Sequence, residues 1–131
     1  MINKSSLLAI KALAVLAQLH PGEWEGTASI ARKISAPANY LGKLLQGLVP
    51  SGLVVSQKGK GGGFRLGKSP TVVRLLDIVA SIEDVSKWSQ CFLGRKQCSD
   101  HNPCSVHNHW KKVKETNIQY LENITLYDLS R

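Results

Sequence analysis

Residues 53–66, LVVSQKGKGGGFRL, constrain this chain more than any other stretch. Leu53-Val54-Val55-Ser56-Gln57 reads as a β-strand, residues 58–63 (KGKGGG) as a turn and Phe64-Arg65-Leu66 as the return strand. The four glycines of the turn let the backbone approach a partner closely. A phosphate-binding loop would need Gly-Lys followed by Ser or Thr at a helix start, and the dinucleotide pattern GxGxxG is absent. Here the glycines lie between two strands. The nucleotide reading is therefore discarded, and the segment is a β-hairpin.

Helical periodicity surrounds it. Ser5 or Ser6 is placed to cap a first helix running to about Leu19, with Leu7, Ile10, Leu13, Ala14 and Ala17 at helical spacing. Leu8, Leu16 and Leu19 widen that face, so burial on two sides is expected, one of them against a second subunit. Thr27 opens a short helix through Ile34, with Ile30, Ala31 and Ile34 inward, and Ser35-Ala36-Pro37 breaks it. The next helix carries Tyr40, Leu41, Leu44, Leu45 and Leu48 on one side and Asn39, Lys43 and Gln46 on the other. Two short helices joined by a tight turn, the second with a polar and basic outer face, read as helix-turn-helix. A hairpin directly after it is a wing.

A fourth helix is expected from Thr71 to about Glu83. A last one is expected from Pro103, with Asn102 as its N-cap, to about Glu122. Along it, Val106, Trp110, Val113, Asn117, Tyr120 or Leu121, and Ile124 keep a three-four spacing, read as a dimer seam; the alternative is folding back on its own core. The expected fold is mainly α with a small β-hairpin: a winged helix-turn-helix domain plus a long C-terminal dimerisation helix. The expected division is 1–84 for the DNA-binding domain, 85–103 for a cysteine loop and 104–131 for the dimerisation helix and tail.

The net charge of +8 is unevenly spread. Between Arg32 and Arg74 lie eight basic residues (Arg32, Lys33, Lys43, Lys58, Lys60, Arg65, Lys68, Arg74) and no acidic one. Such a local positive field is the footprint of a nucleic-acid binder, though a solvated face would share it. At 131 residues the chain is one domain by length. No apolar run approaches the roughly 20 residues a membrane span needs, and residues 7–19 lack the order of a signal peptide. A cytoplasmic protein with reduced thiols is expected, and an odd cysteine count argues against a disulfide framework. No paired carboxylates or Ser-His-Asp set is found, so an enzyme is not expected; Asp77, Glu83 and Asp84 read as helix-surface charges.

All three cysteines fall in residues 91–110, CFLGRKQCSDHNPCSVHNHW, among polar neighbours and between Trp88 and Trp110. With a helix start at Pro103, Cys104 lies in the first turn, where free amides favour a thiolate. His107 follows about 60° round the same helix. Cys91, Cys98, Cys104 and His107 then form a four-ligand set. Structural zinc sites pair cysteines two to four residues apart, and here the intervening gaps are six and five. An iron–sulfur cluster, a zinc ion and metal-free thiols all remain open on spacing alone. An electron-transfer protein and a dimerising scaffold are rival uses, the first opposed by the basic wing, the second leaving the charge asymmetry unexplained.

These residues carry a family resemblance. Residues 35–66, with NYLGKLLQGLVPSGLVVSQKGKGGGFRL at their heart, resemble the winged helix of the IscR, NsrR and RirA regulators, the Rrf-two family. The run Cys91…Cys98…Cys104-Ser-Val-His107 is similar to the cluster loop of that family, and residues 123–129 (NITLYDL) resemble the end of its dimer helix. The resemblance implies a homodimeric bacterial transcription factor whose iron–sulfur cluster alters DNA binding in response to redox, nitric oxide or iron status. It implies Cys91, Cys98 and Cys104 as cluster cysteines and His107 as fourth ligand, which favours [2Fe–2S] over [4Fe–4S]. Some members draw an aspartate from the first helix of the partner, but residues 3–10 (NKSSLLAI) hold no carboxylate. Gly42 and Lys43 stand where IscR has a Glu-Gln pair, so a different base preference is implied, and the first cysteine gap is one residue longer. In such a fold the third helix enters the major groove, with Asn39, Tyr40 and Lys43 nearest bases or phosphates. The wing, through Lys58 and Lys60 with Arg65 on its return strand, tracks the adjacent minor groove. A two-fold dimer implies a palindromic operator in double-stranded DNA.

Overall fold

The computed structural model describes residues 2–94 and 99–130. In chain order it forms α1 (Lys4–Leu16), α2 (Thr27–Ile34), α3 (Ala38–Gly47), β1 (Val54–Gln57), β2 (Gly63–Leu66), α4 (Leu75–Ile82), α5 (His107–Asn123) and α6 (Leu126–Ser130), with single 3-10 turns at Pro70–Val72 and Val85–Ser89. The fold is mainly helical with one antiparallel hairpin: a winged helix-turn-helix followed by a C-terminal helix.

α1 is the central rod. Its residues Leu8, Ala9, Ile10, Ala12, Leu13 and Leu16 are buried, and α2, α3, α4, α6 and β2 all pack on it. The wide apolar face is thus covered mainly by the chain itself, while Leu7 stays 43% exposed. Asn3 rather than Ser5 or Ser6 caps the helix, its Oδ1 accepting the Ser6 N–H at 2.8 Å. The helix ends at Leu16, three residues before the expected stop.

In the helix-turn-helix, Ser35 takes a left-handed φ of 57°, and the Ala36 N–H donates to the Ala31 carbonyl at 2.9 Å. That tight reversal sets α3 against α2. Leu41, Leu45 and Leu48 are fully buried, whereas Asn39, Tyr40, Lys43 and Gln46 are exposed. Tyr40 therefore lies outside the apolar stripe it was expected to extend.

In the wing, Val54 pairs with Leu66 and Ser56 with Phe64. Glu25 adds an isolated bridge to Phe64, with N–H to carbonyl distances of 3.0 and 2.8 Å. This ties the wing to the segment before α2 and buries the Phe64 ring. Gly62 and Gly63 are required here: a Cβ on Gly62 would sit 2.2 Å from the Gln57 carbonyl oxygen, and one on Gly63 2.4 Å from that of Glu25.

The fourth helix starts at Leu75, later than the expected Thr71, because Pro70–Val72 form a 3-10 turn and Arg74 then pairs with Thr125 in an isolated antiparallel bridge. The Leu75 N–H donates to the Ile124 carbonyl at 2.9 Å, and the Leu126 N–H donates to the Val73 carbonyl at 3.0 Å. Asp77 then caps α4, its Oδ2 accepting the Arg74 backbone N–H at 3.0 Å while Oδ1 receives Arg74 Nη2 at 2.8 Å. The Arg74 hydrogen bond holds the Asp77 carboxyl below its usual range. Stability from this cap is present above the ordinary carboxylate pKa and is lost as pH falls through the lowered one. Asp77→Asn should cost about 1 kcal/mol in urea unfolding at pH 7, and clearly less at pH 3, where the wild-type cap is already weakened.

α5 starts at His107, not Pro103, and Val106 is its N-cap. Asn102 cannot cap there, because residues 99–102 close on themselves: Ser99 and Asn102 exchange backbone hydrogen bonds at 3.3 and 3.1 Å. The inward residues of α5 are His107 and Leu121, with Ile118 packed against the core, and Leu126 of α6 is fully buried beside them. Val113 and Tyr120 of the expected seam are 48% and 55% exposed. No helix among the described residues is long and apolar enough to cross a membrane.

Candidate nucleic-acid interface and cysteine centre

The outer face of α3 and the start of α2 border a groove lined by Thr27, Ala28, Asn39, Gly42, Lys43 and Gln46, closed at one end by Phe64 of the wing. Gly42 leaves the groove floor open between the helices without being required by their packing: a Cβ there would rest 3.5 Å from Thr27 Cγ2, in ordinary contact. Lys43 stands exposed beside the groove, and Lys58 and Lys60 are exposed in the turn between the strands. Among the described residues these three lysines form no ion pair. Three other basic residues of the 32–74 segment are engaged. Lys33 Nζ meets Glu25 Oε1 at 2.7 Å, Arg74 meets Asp77, and the Arg65 guanidinium lies 4.2 Å from the centre of the Trp24 ring. Arg65 is thus half-buried on a cation–π contact, held toward the α1–α2 connection. The Tyr40 hydroxyl is hydrogen-bonded to Ser5 Oγ in the first turn of α1.

At the other pole, Cys91 and Cys104 are half-buried with their sulfurs 3.5 Å apart. Trp110 of α5 holds the chain on both sides of Cys91: its Nε1–H donates to the Gln90 carbonyl at 2.9 Å, and its ring meets that of Phe92 at 5.3 Å. His107 is nearly buried, with Nε2 2.9 Å from Asp100 Oδ1. Lys111 Nζ reaches both oxygens of Asp100 at 3.1 and 3.0 Å. Hydrogen bonds from His107 and Lys111, in that order, hold the Asp100 carboxyl down at about 2, so it is ionised and accepts the His107 Nε2–H. Neither Asp100 nor the clamping role of Trp110 was anticipated from sequence; the seven-residue spacing of Asp100 and His107 was the available signal.

The donor set fits a metal group as far as it is described. Two thiolates on one tetrahedral metal with arms of about 2.3 Å sit about 3.8 Å apart, close to the separation seen. A histidine ligand usually donates its other ring N–H to a carboxylate. With Nε2–H on Asp100, His107 keeps the Nδ1 lone pair for such a role. Cys98 lies outside the described residues. Among the described ones, no three of His, Cys, Asp and Glu converge on one point.

A short helix pair with a polar recognition face, a hairpin wing bearing lysines and a cysteine-bearing segment beneath a C-terminal helix define a winged helix-turn-helix protein. A model of the Rrf2 family, described as an iron-dependent transcriptional regulator, matches residues 2–131. A protein of Aquifex aeolicus (strain VF5) that carries the name of an HTH-type transcriptional regulator is 34% identical over 123 residues, 92% of this chain and 85% of that one. IscR of Yersinia pseudotuberculosis (strain IP 31758) is 30% identical over 102 residues, and that match takes in 78% of this chain and 62% of IscR. Among solved structures, T. potens IscR is similar with TM-score 0.77 and 26% identity, over 98% of this chain and 85% of that one. CymR, described as the global cysteine regulator of B. subtilis, shares the fold with TM-score 0.81 and 24% identity, over 99% and 95%. The chain belongs to the Rrf2 family of transcriptional regulators.

Proposed function

We propose that this chain is a homodimeric DNA-binding regulator, reading a palindromic operator with α3 and the wing and sensing redox, nitric oxide or iron status at Cys91, Cys98, Cys104 and His107. The observation that carries the DNA half is the groove between α2, α3 and Phe64, flanked by Asn39 and Lys43, with exposed Lys58 and Lys60 on the wing. Asn39, Tyr40 and Lys43 read the major groove; Lys58 and Lys60 neutralise phosphates along the minor groove, and Arg65 braces the return strand on Trp24. In this reading residues 1–84 bind DNA, 85–103 carry the cysteine site and 104–131 form the dimer helix and tail. The exposed stripe of Val113 and Tyr120, continued by Tyr127 and Leu129 at 49% and 43%, supports an intersubunit seam on the face of α5 turned away from its own core.

An iron–sulfur cluster, [2Fe–2S] with His107 as fourth ligand, supplies a reversibly lost, oxidant-sensitive centre when bound. The chain's own residues do the rest: Trp110 positions Cys91, Asp100 fixes the His107 tautomer, and Lys111 holds Asp100. Family membership and the donor chemistry support this reading. A regulator of the same fold using bare thiols or zinc is the second reading, favoured by the 3.5 Å approach of Cys91 and Cys104.

The DNA half is tested by fluorescence anisotropy on duplex DNA across a salt series. Lys58→Ala should weaken binding to all sequences alike and lower the slope of log affinity against log salt by about one unit. Unchanged affinity and slope would remove the wing from the interface.

A further inference from the structure

The first turn of α1 touches two regions that regulation of DNA binding has to connect. On one side it is gripped by Glu83, the C-cap residue of α4. Glu83 Oε2 accepts both the fully buried Ser6 hydroxyl at 2.6 Å and the Asn3 backbone N–H at 3.0 Å. On the other side, Ser5 Oγ is bonded to the Tyr40 hydroxyl of the recognition helix. Beyond Glu83 the chain is short and well held. Asp84 caps the 3-10 turn Val85–Ser89, Trp88 anchors that turn in the core at 8% exposure, and Trp110 takes the Gln90 carbonyl next to Cys91.

We infer that the first turn of α1 sets how Tyr40 is presented on the recognition helix according to the setting of the cysteine segment, with Glu83 as its input and the Ser5–Tyr40 contact as its output. Two hydrogen bonds converge on one carboxylate oxygen, and charge-assisted bonds of this kind are costly to leave unmade. A displacement at the end of α4 therefore carries Asn3 and Ser6 with it. Ser5 lies between them on the same turn and moves with them. Tyr40 then changes its presentation to DNA without any movement of the buried Leu41–Leu45–Leu48 stripe. Ser5 and Glu83 are positioning residues; neither needs to touch DNA or the cysteine site. The inference rests on the reading above, that DNA affinity depends on the state of that site.

The experiment uses the full chain and a duplex selected from a randomised pool by the wild-type protein. Its affinity is measured for protein purified without oxygen and for the same protein after iron chelation, and the ratio of the two is the readout. Ser5→Ala removes the contact to Tyr40 while placing a good helix former in the turn, and Glu83→Gln weakens the grip on Asn3 and Ser6. Melting temperature and iron content report whether each variant remains intact. The expected result is that Ser5→Ala keeps both yet moves the ratio toward one by about 2- to 30-fold. Glu83→Gln does the same, and the double variant loses no more than the larger single loss. A wild-type ratio preserved in folded Ser5→Ala overturns the inference alone, as does a double variant whose loss is the sum of the two. A wild-type ratio of one removes the underlying reading and the inference with it.

Discussion

Cys104→Ala is expected to abolish the visible absorption and bound iron of protein purified without oxygen, with little change in unfolding of the winged helix. Cys104 contributes a side chain that is only half-buried, outside the apolar core, and its backbone carbonyl, which accepts the His107 N–H at 3.2 Å, survives the substitution. Truncation therefore leaves neither a core cavity nor a broken helix start. What it removes is one of two sulfurs 3.5 Å apart, and clusters depend on their thiolate ligands. The measurement is an absorption spectrum with iron and sulfide analysis of wild type and variant. A variant retaining the wild-type spectrum would end the assignment of Cys104 as a ligand. Salt-dependent binding to non-specific DNA should be the same in both proteins, since that depends on the distant lysines.

Gly63→Ala should have the opposite profile, unfolding the wing while leaving the cysteine chemistry alone. At φ 139° Gly63 occupies a conformation closed to other residues, and a Cβ would meet three backbone atoms: the Glu25 oxygen at 2.4 Å, its carbon at 2.5 Å and the Gly26 nitrogen at 2.8 Å. None of these is a side chain that can swing aside. Relief requires opening the Glu25–Phe64 bridge, losing both its hydrogen bonds and drawing Phe64, 5% exposed, out of the core. Strain and lost hydrogen bonds together come to about 3 kcal/mol or more. Urea unfolding should show that loss, and affinity for every DNA sequence should fall with it. Gly61→Ala is the control, with a positive φ but nothing within 4 Å of the added carbon, and should cost about 1 kcal/mol. Equal stability of the Gly63 and Gly61 variants would contradict the register of the wing.

The helix-turn-helix and wing were legible because their signals are local. A 3.6-residue apolar period marks Leu41, Leu45 and Leu48, and glycines at residues 59–63 admit few alternatives to a turn. The start of α5 was not legible. Asn102-Pro103 is a sound capping pair, but Ser99 competes for the Asn102 backbone and wins by closing a turn. His107 and Leu121 of that helix point to the core, while Val113 and Tyr120, read from sequence as part of a dimer seam, stay exposed. Asp77, Glu83 and Asp84 read as surface charges from sequence. In the fold each accepts hydrogen bonds that end or join elements, and the partners of Glu83 lie 77 and 80 positions away. No local pattern reveals such a contact. Of the cysteine site, Cys91 and Cys104 were singled out from sequence and lie with their sulfurs 3.5 Å apart, while Asp100 and Trp110 entered only with the fold.

The most direct test of regulation by the cysteine site is a comparison of operator affinity for one anoxic preparation before and after its iron is removed, with iron and sulfide measured in parallel. About two iron and two sulfide per chain, with affinity shifted about tenfold or more on their removal, is the predicted result. Iron-free protein as first isolated, or an affinity that does not change when the iron leaves, would contradict it.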